Sequence, residues 1–277
     1  MTIDNNHPYY KIPPHIEPPG CLKEILSSPC GRGTIELALF QEHRFAFYYW
    51  IKWANNFENV VPSLITYDWH QDLAPPYNDE LEDLKSLGLT DRGEVALYTW
   101  AKLSYMNDVQ IRAAILLNKV KDVYAICRQK CSRDKIQIVK DFEGNEHKIM
   151  VFQNIEEFEN QIPNITDNKL YFDIDLDYFT LSNPLSVGCP YKGKSYTYLN
   201  KTQIIELLSP SNPTIKWIFE KLAGFTIATE PEFCGGLKKS NYFLQIIDKL
   251  YFAPSLFYNV PRSRGTEWKH LQSYSKK

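Results

Sequence analysis

Apolar and polar positions alternate through Lys169-Leu-Tyr-Phe-Asp-Ile-Asp-Leu-Asp-Tyr-Phe179, a strand pattern with Asp173, Asp175 and Asp177 at every second place. Side chains two apart on a strand share a side, so the three carboxylates converge while Phe172, Ile174, Leu176 and Tyr178 face a core. A second apolar run, Val60 to Tyr67, stops at Asp68-Trp-His70-Gln-Asp72, and a third, Gly33 to Phe40, stops at Gln41-Glu42-His43. Phe225 to Thr229 ends in the same way, at Glu230-Pro-Glu232. Further strands are expected over Asp122–Cys127, Lys135–Lys140 and His147–Phe152, the last two joined through Glu143-Gly-Asn-Glu146 as a hairpin.

Helical periodicity falls between these runs: Phe45–Trp53, a short helix near Leu84, Asp91–Met106, Asp108–Leu117, Glu156–Gln161, Lys201–Leu208, Thr214–Leu222 and Ser240–Phe252. Repeated strand and helix units imply an α/β fold, a three-layer αβα arrangement with a mostly parallel central sheet and an appended β-hairpin. In such sheets ligands bind outside the carboxyl ends of the strands. His43, Asp68, His70, Asp72, Asp173, Asp175 and Glu230 all fall at or just past predicted strand ends. Ionised carboxylates gathered there need cations, basic partners or solvent, and bound metal is the favoured answer.

Length and composition narrow the frame. A chain of 277 residues, 44% hydrophobic, suits a single domain over 1–277, with 1–20 as a proline-rich extended arm and 253–277 as a basic C-terminal tail. A formal charge of −2 without a basic block argues against nucleic acid, and no apolar run is long enough to span a membrane. The polar, proline-rich start is unlike a signal peptide, so a cytoplasmic protein is expected. Six scattered cysteines do not suggest a disulfide framework, and Cys127 with Cys131 lacks the second pair that a zinc site would need. His147 reads as an exposed hairpin histidine, and the acids Asp79, Glu80, Glu82 and Asp83 as a solvated helix start or an attractor for a cationic substrate.

The order His43, Asp68-x-His70-x-Asp72, Asp173-x-Asp175 resembles the arginase (ureohydrolase) family and its binuclear manganese site. The resemblance implies two Mn(II) ions, one held by His43, Asp68, Asp72 and Asp173 and the other by His70, Asp68, Asp173 and Asp175. It further implies that Asp72 orients the attacking hydroxide and that Glu230, rather than Glu232, binds the guanidinium. Hard oxygen ligands with some imidazole suit manganese. The sequence departs from arginases of free arginine: Leu73-Ala-Pro-Pro-Tyr-Asn78 lacks the polar groups that grip an α-amino acid, and no shuttle histidine follows. Asp-x-His-x-Asp with Phe-Asp-Ile-Asp-Leu-Asp-Tyr-Phe is more similar to a divergent branch that includes bacterial peptide arginases of the OspR type.

That branch implies a hydrolase that turns arginine residues of a ribosomally made precursor peptide into ornithine, with loss of urea. The partner is then an arginine-containing peptide, with a homo-oligomer left open. The alternatives are a small guanidine such as agmatine as substrate, a zinc deacetylase of related fold, and a non-catalytic peptide-binding module. A deacetylase of that kind usually carries a His-His pair, which this sequence lacks. Asp177 is expected either beside the metal site or facing solvent.

Overall fold

The computed structural model describes residues 16–29, 33–57, 59–130, 135–182, 195–257 and 266–272. His7, His15 and most of the proline-rich arm, Cys131, most of the loop after Leu181, and the tail arginines Arg262 and Arg264 lie outside them.

The strands are β1 (Leu22–Ser27), β2 (Thr34–Phe40), β3 (Ser63–Asp68), β4 (Val123–Cys127), β5 (Ile136–Lys140), β6 (Glu146–Phe152), β7 (Leu170–Asp175), the short pair β8 (Thr180–Ser182) and β9 (Thr197–Tyr198), and β10 (Leu222–Ala228). Eight of them form one sheet in the order β1-β2-β10-β7-β3-β4-β6-β5. The six inner strands run parallel, and β1 and β5 close the two edges antiparallel.

The helices are α1 (Ala46–Ala54), α2 (Asn78–Ser86), α3 (Arg92–Ala101), α4 (Gln110–Leu116), α5 (Ile155–Glu159), α6 (Lys201–Leu208), α7 (Pro213–Glu220) and α8 (Leu237–Tyr251). Strand alternation explains why they cover both faces. Ile65, Tyr67, Phe172, Ile174, Phe225 and Ile227 point into one core with Phe158 of α5, Ile204 of α6, Ile218 of α7 and Phe243 of α8. Leu64, Tyr171 and Val123 point the other way, into a core with Trp50 and Trp53 of α1, Val95 of α3 and Ile111 of α4. The fold is thus α/β, with helices on both faces of a mostly parallel sheet. No helix of the described residues is long and apolar enough to cross a membrane.

The expected hairpin is present as β5 and β6 and is appended to the main sheet through the parallel pairing of β6 with β4. Other features depart from expectation. The edge strand β1 escapes the pattern because its only buried residue is Leu26. The helix begun at Arg92 stops at Ala101, well short of Met106. The C-terminal stretch is more than a tail: Phe252–Ala253 pairs with Glu267–Trp268, and Trp268 lies fully buried against Phe219, Phe225 and Tyr251.

The long aspartate strand also ends earlier than expected. After Asp175 the chain enters a 3₁₀ turn, Leu176–Phe179, because the Asp175 side chain accepts the Asp177 N–H and caps it. His147 is buried rather than exposed, its Nδ1 2.6 Å from the Lys121 carbonyl and its Nε2 3.2 Å from Asp141.

Candidate metal centre

Four parallel neighbours, β2, β10, β7 and β3, end side by side, and their carboxyl ends bring the acids together. Asp68 closes β3 and Asp175 closes β7, both buried. Thr66, Asp173 and Thr226 lie one pleat below, opposite one another in the β3, β7 and β10 pairing. His43 opens the short turn after β2 and is fully buried. Glu230 follows β10, with its backbone N–H bonded to the Gln41 carbonyl.

The carboxylates crowd the two imidazoles. His43 Nδ1 lies 2.9 Å from Asp72 Oδ2, 3.4 Å from Asp68 Oδ2 and 3.5 Å from Asp175 Oδ2. His43 Nε2 faces the opposite way, 2.8 Å from Asp173 Oδ2. His70 Nδ1 lies 2.9 Å from Asp177 Oδ2 and 3.8 Å from Asp68 Oδ1, and its ring stands edge-on to Phe233 at 5.0 Å. Ligand-type atoms lie within 4.8 Å of one another in three overlapping groups: His43, Asp68 and Asp72; Asp68, His70 and Asp177; and Asp175, Asp177 and Glu230.

Of the residues singled out by sequence, His43, Asp68, His70, Asp72, Asp175 and Glu230 fall within these groups, and Asp173 does not. Asp177 joins two of the three groups and is fully buried, so it does not face solvent. Glu232 is exposed, and its backbone carbonyl accepts the Tyr196 hydroxyl.

Two residues that sequence reasoning passed over hold the acids in place. Gln110 Nε2 donates to Asp72 Oδ2 at 2.8 Å, and Asn107 Nδ2 donates to Glu230 Oε1 at 2.6 Å. The His43 N–H reaches the same Glu230 oxygen at 3.1 Å. Among the described residues five non-glycines have positive φ, and three of them, Asp72, Asn107 and Glu230, stand at this site. Strained backbone concentrated around a polar cluster is typical of functional sites. No motif marks Asn107 or Gln110. Thr66 did carry a signal, since it precedes Asp68 by two and so shares its side of the strand.

The electrostatics call for positive charge. Burial pushes the Asp68 and Asp175 carboxyls well above the usual range, and neighbouring acids add to it. Burial likewise pushes Glu230 up to about 8, opposed by His43 and reinforced by Asp72 and Asp177. Burial disfavours a charged His70, yet Asp177, Asp68 and Asp72 outweigh it and push the imidazole up to about 10. His43 is pushed up well beyond the usual imidazole range in the same way, burial being outweighed first by Asp173.

Asp68 Oδ2 and Asp177 Oδ2 are buried and meet imidazole nitrogens, His43 Nδ1 at 3.4 Å and His70 Nδ1 at 2.9 Å, with no further donor. Buried carboxylates facing neutral imidazoles leave negative charge unmatched, which is costly, and a divalent cation bound between them satisfies both charge and lone pairs. The residues present therefore fit a metal: oxygen donors with two imidazoles, largely buried, and close enough to one another to share an ion. The site is defined by this geometry and not by kinship, since no protein-family model matches the chain and no curated protein is similar to it.

Proposed function

We propose that the chain is a binuclear manganese hydrolase of the arginase type, converting arginine residues of a peptide to ornithine with release of urea. The observation that carries this reading is the convergence of imidazoles and carboxylates at the ends of adjacent parallel strands, with buried carboxylate oxygens that meet imidazole nitrogens and no further donor. His43, Asp68, His70, Asp72 and Asp175 would hold the cations. When bound, such a pair supplies a Lewis acid that activates water at neutral pH.

The side chains divide the remaining work. Glu230 adjoins Asp175 and Asp177 and, ionised, accepts guanidinium N–H groups through charge-assisted hydrogen bonds that fix the plane for attack. Asp72, anchored by Gln110, accepts a hydrogen bond from the attacking water and orients it. The leaving group is the side-chain amine of ornithine. Leu73, first in the loop after Asp72, is buried in the core, and the loop's proline-rich sequence offers little to grip a free α-amine and α-carboxylate. That favours an arginine carried in a peptide over the free amino acid.

The test is to load the protein with Mn(II), measure metal by elemental analysis, and incubate it with arginine-containing peptides. Two metals per chain, urea release and a peptide mass loss of about 42 Da are expected. One zinc per chain with no urea would instead point to a single-metal deacetylase, and peptide binding without metal or turnover to a binding module.

A further inference from the structure

We propose that Asp177 belongs to the cation-binding set and that Asp173 is a positioning residue that fixes His43. The inference rests on the metal-site reading above, but not on the reaction assigned to it.

Asp173 is already occupied. Thr226 Oγ1 donates to its Oδ1 at 2.6 Å and Thr66 Oγ1 to its Oδ2 at 2.7 Å, and both threonines sit directly opposite it on the flanking strands. The same Oδ2 meets His43 Nε2 at 2.8 Å. A carboxylate offers about four acceptor sites, and protein donors take three of them here. A histidine that ligates metal through one nitrogen commonly donates the other N–H to a carboxylate, which fixes its tautomer. With its Nε2–H given to Asp173, His43 presents the Nδ1 lone pair to Asp68, Asp72 and Asp175.

Asp177 has the opposite character. The turn capped by Asp175 swings it off the strand and into the groups formed with Asp68 and His70 and with Asp175 and Glu230. Its Oδ1 is anchored by the Trp69 N–H at 2.9 Å, while Oδ2 lies 2.9 Å from His70 Nδ1 and meets no other donor. A buried, oriented carboxylate whose second oxygen meets only an imidazole that is itself a candidate ligand is placed to share a cation with it. The ligands are then the last residue of β7 and the second residue of the turn, with the mid-strand aspartate beneath them as a buttress.

The experiment measures Mn(II) stoichiometry and affinity by elemental analysis and titration calorimetry for the wild type, Asp177→Asn and Asp173→Asn. Thermal unfolding in chelator checks that each variant folds. Asp177→Asn is expected to lose one of the two cations, and Asp173→Asn to keep both with affinity lowered about 10–100-fold. If Asp173→Asn does not fold, Thr226→Val removes one Asp173 donor and must likewise keep both cations. In the zinc-loaded wild type, ¹⁵N NMR should find the His43 proton on Nε2. Wild-type binding by Asp177→Asn, loss of a cation in Asp173→Asn or Thr226→Val, or a His43 proton on Nδ1 would overturn the inference while leaving the two-metal reading intact. A wild-type chain that binds no divalent cation would overturn both.

Discussion

Asn107 Nδ2 donates to Glu230 Oε1 at 2.6 Å, joining two residues 123 positions apart that both have positive φ. The Asn107 side-chain Oδ1 accepts the Arg44 N–H at 3.4 Å, so one side-chain amide ties the turn that begins at His43 to the acid proposed to bind the guanidinium. Three residues further on, Gln110 does the same for Asp72. A single segment entering α4 therefore sets two acids that come from different strands.

Replacing Asn107 with Asp tests that arrangement with little change of shape. Aspartate tolerates the left-handed backbone at φ 56° and keeps the acceptor for Arg44, but it sets a carboxylate against Glu230 in place of a donor. A lost charge-assisted hydrogen bond is worth about 1.5–3 kcal/mol, so KM for an arginine peptide should rise about 10–100-fold. Metal content should not change, because Asn107 touches none of the cation-binding side chains other than through Glu230. Steady-state kinetics with unaltered KM would show that Glu230 needs no such positioning.

Packing beneath the site is equally specific at Gly224. A Cβ built on this residue of β10 would clash with the six-membered ring of the Trp53 indole, and its φ is ordinary, so a substitution there meets a steric obstacle and no backbone strain. Trp53 ends the apolar face of α1, the helix that follows His43, and packs in turn with tilted rings against Tyr49 and Tyr171. Gly224→Ala should therefore destabilise the fold by about 1–3 kcal/mol, seen as a lower urea midpoint with an unchanged slope. An unchanged midpoint would mean that α1 moves aside at no cost.

The sequence announced the strand ends well because period-two alternation and terminal acids coincide at Asp68 and Asp175, and because apolar runs such as Val60–Tyr67 are long enough to be unambiguous. It concealed β1, where solvent takes nearly every side chain but Leu26. The exchange of position between Asp173 and Asp177 was hidden as well, since unbroken alternation gives no sign that the Asp175 carboxylate will cap a turn and end the strand. Trp268 was misplaced for a related reason: a lone tryptophan in a basic stretch carries no period, and only the tertiary pocket of Phe219, Phe225 and Tyr251 explains it. Asn107 and Gln110 needed the folded chain, since their partners lie 123 and 38 residues away.

Acid should also test the fold at a point away from the candidate metal centre. Asp167, just before β7, is nearly buried and accepts Lys121 Nζ at 2.8 Å and the Tyr124 hydroxyl at 2.7 Å. Burial raises its pKa, but these hydrogen bonds outweigh it and hold the carboxyl below its usual range. A folded-state pKa below the unfolded value means that the folded chain binds this proton less readily. The stabilisation is thus complete above the unfolded value of about 3.9 and is lost as pH falls through the lower folded value. Lys121 is about half exposed, which weakens its share by screening, so hydrogen bonding to the charge should contribute about 1–2 kcal/mol in all. Asp167→Asn should unfold at lower urea than the wild type at neutral pH, and the two midpoints should converge as pH drops below about 4. A gap that persists unchanged into acid would show that the loss comes from packing and not from the ionised carboxylate.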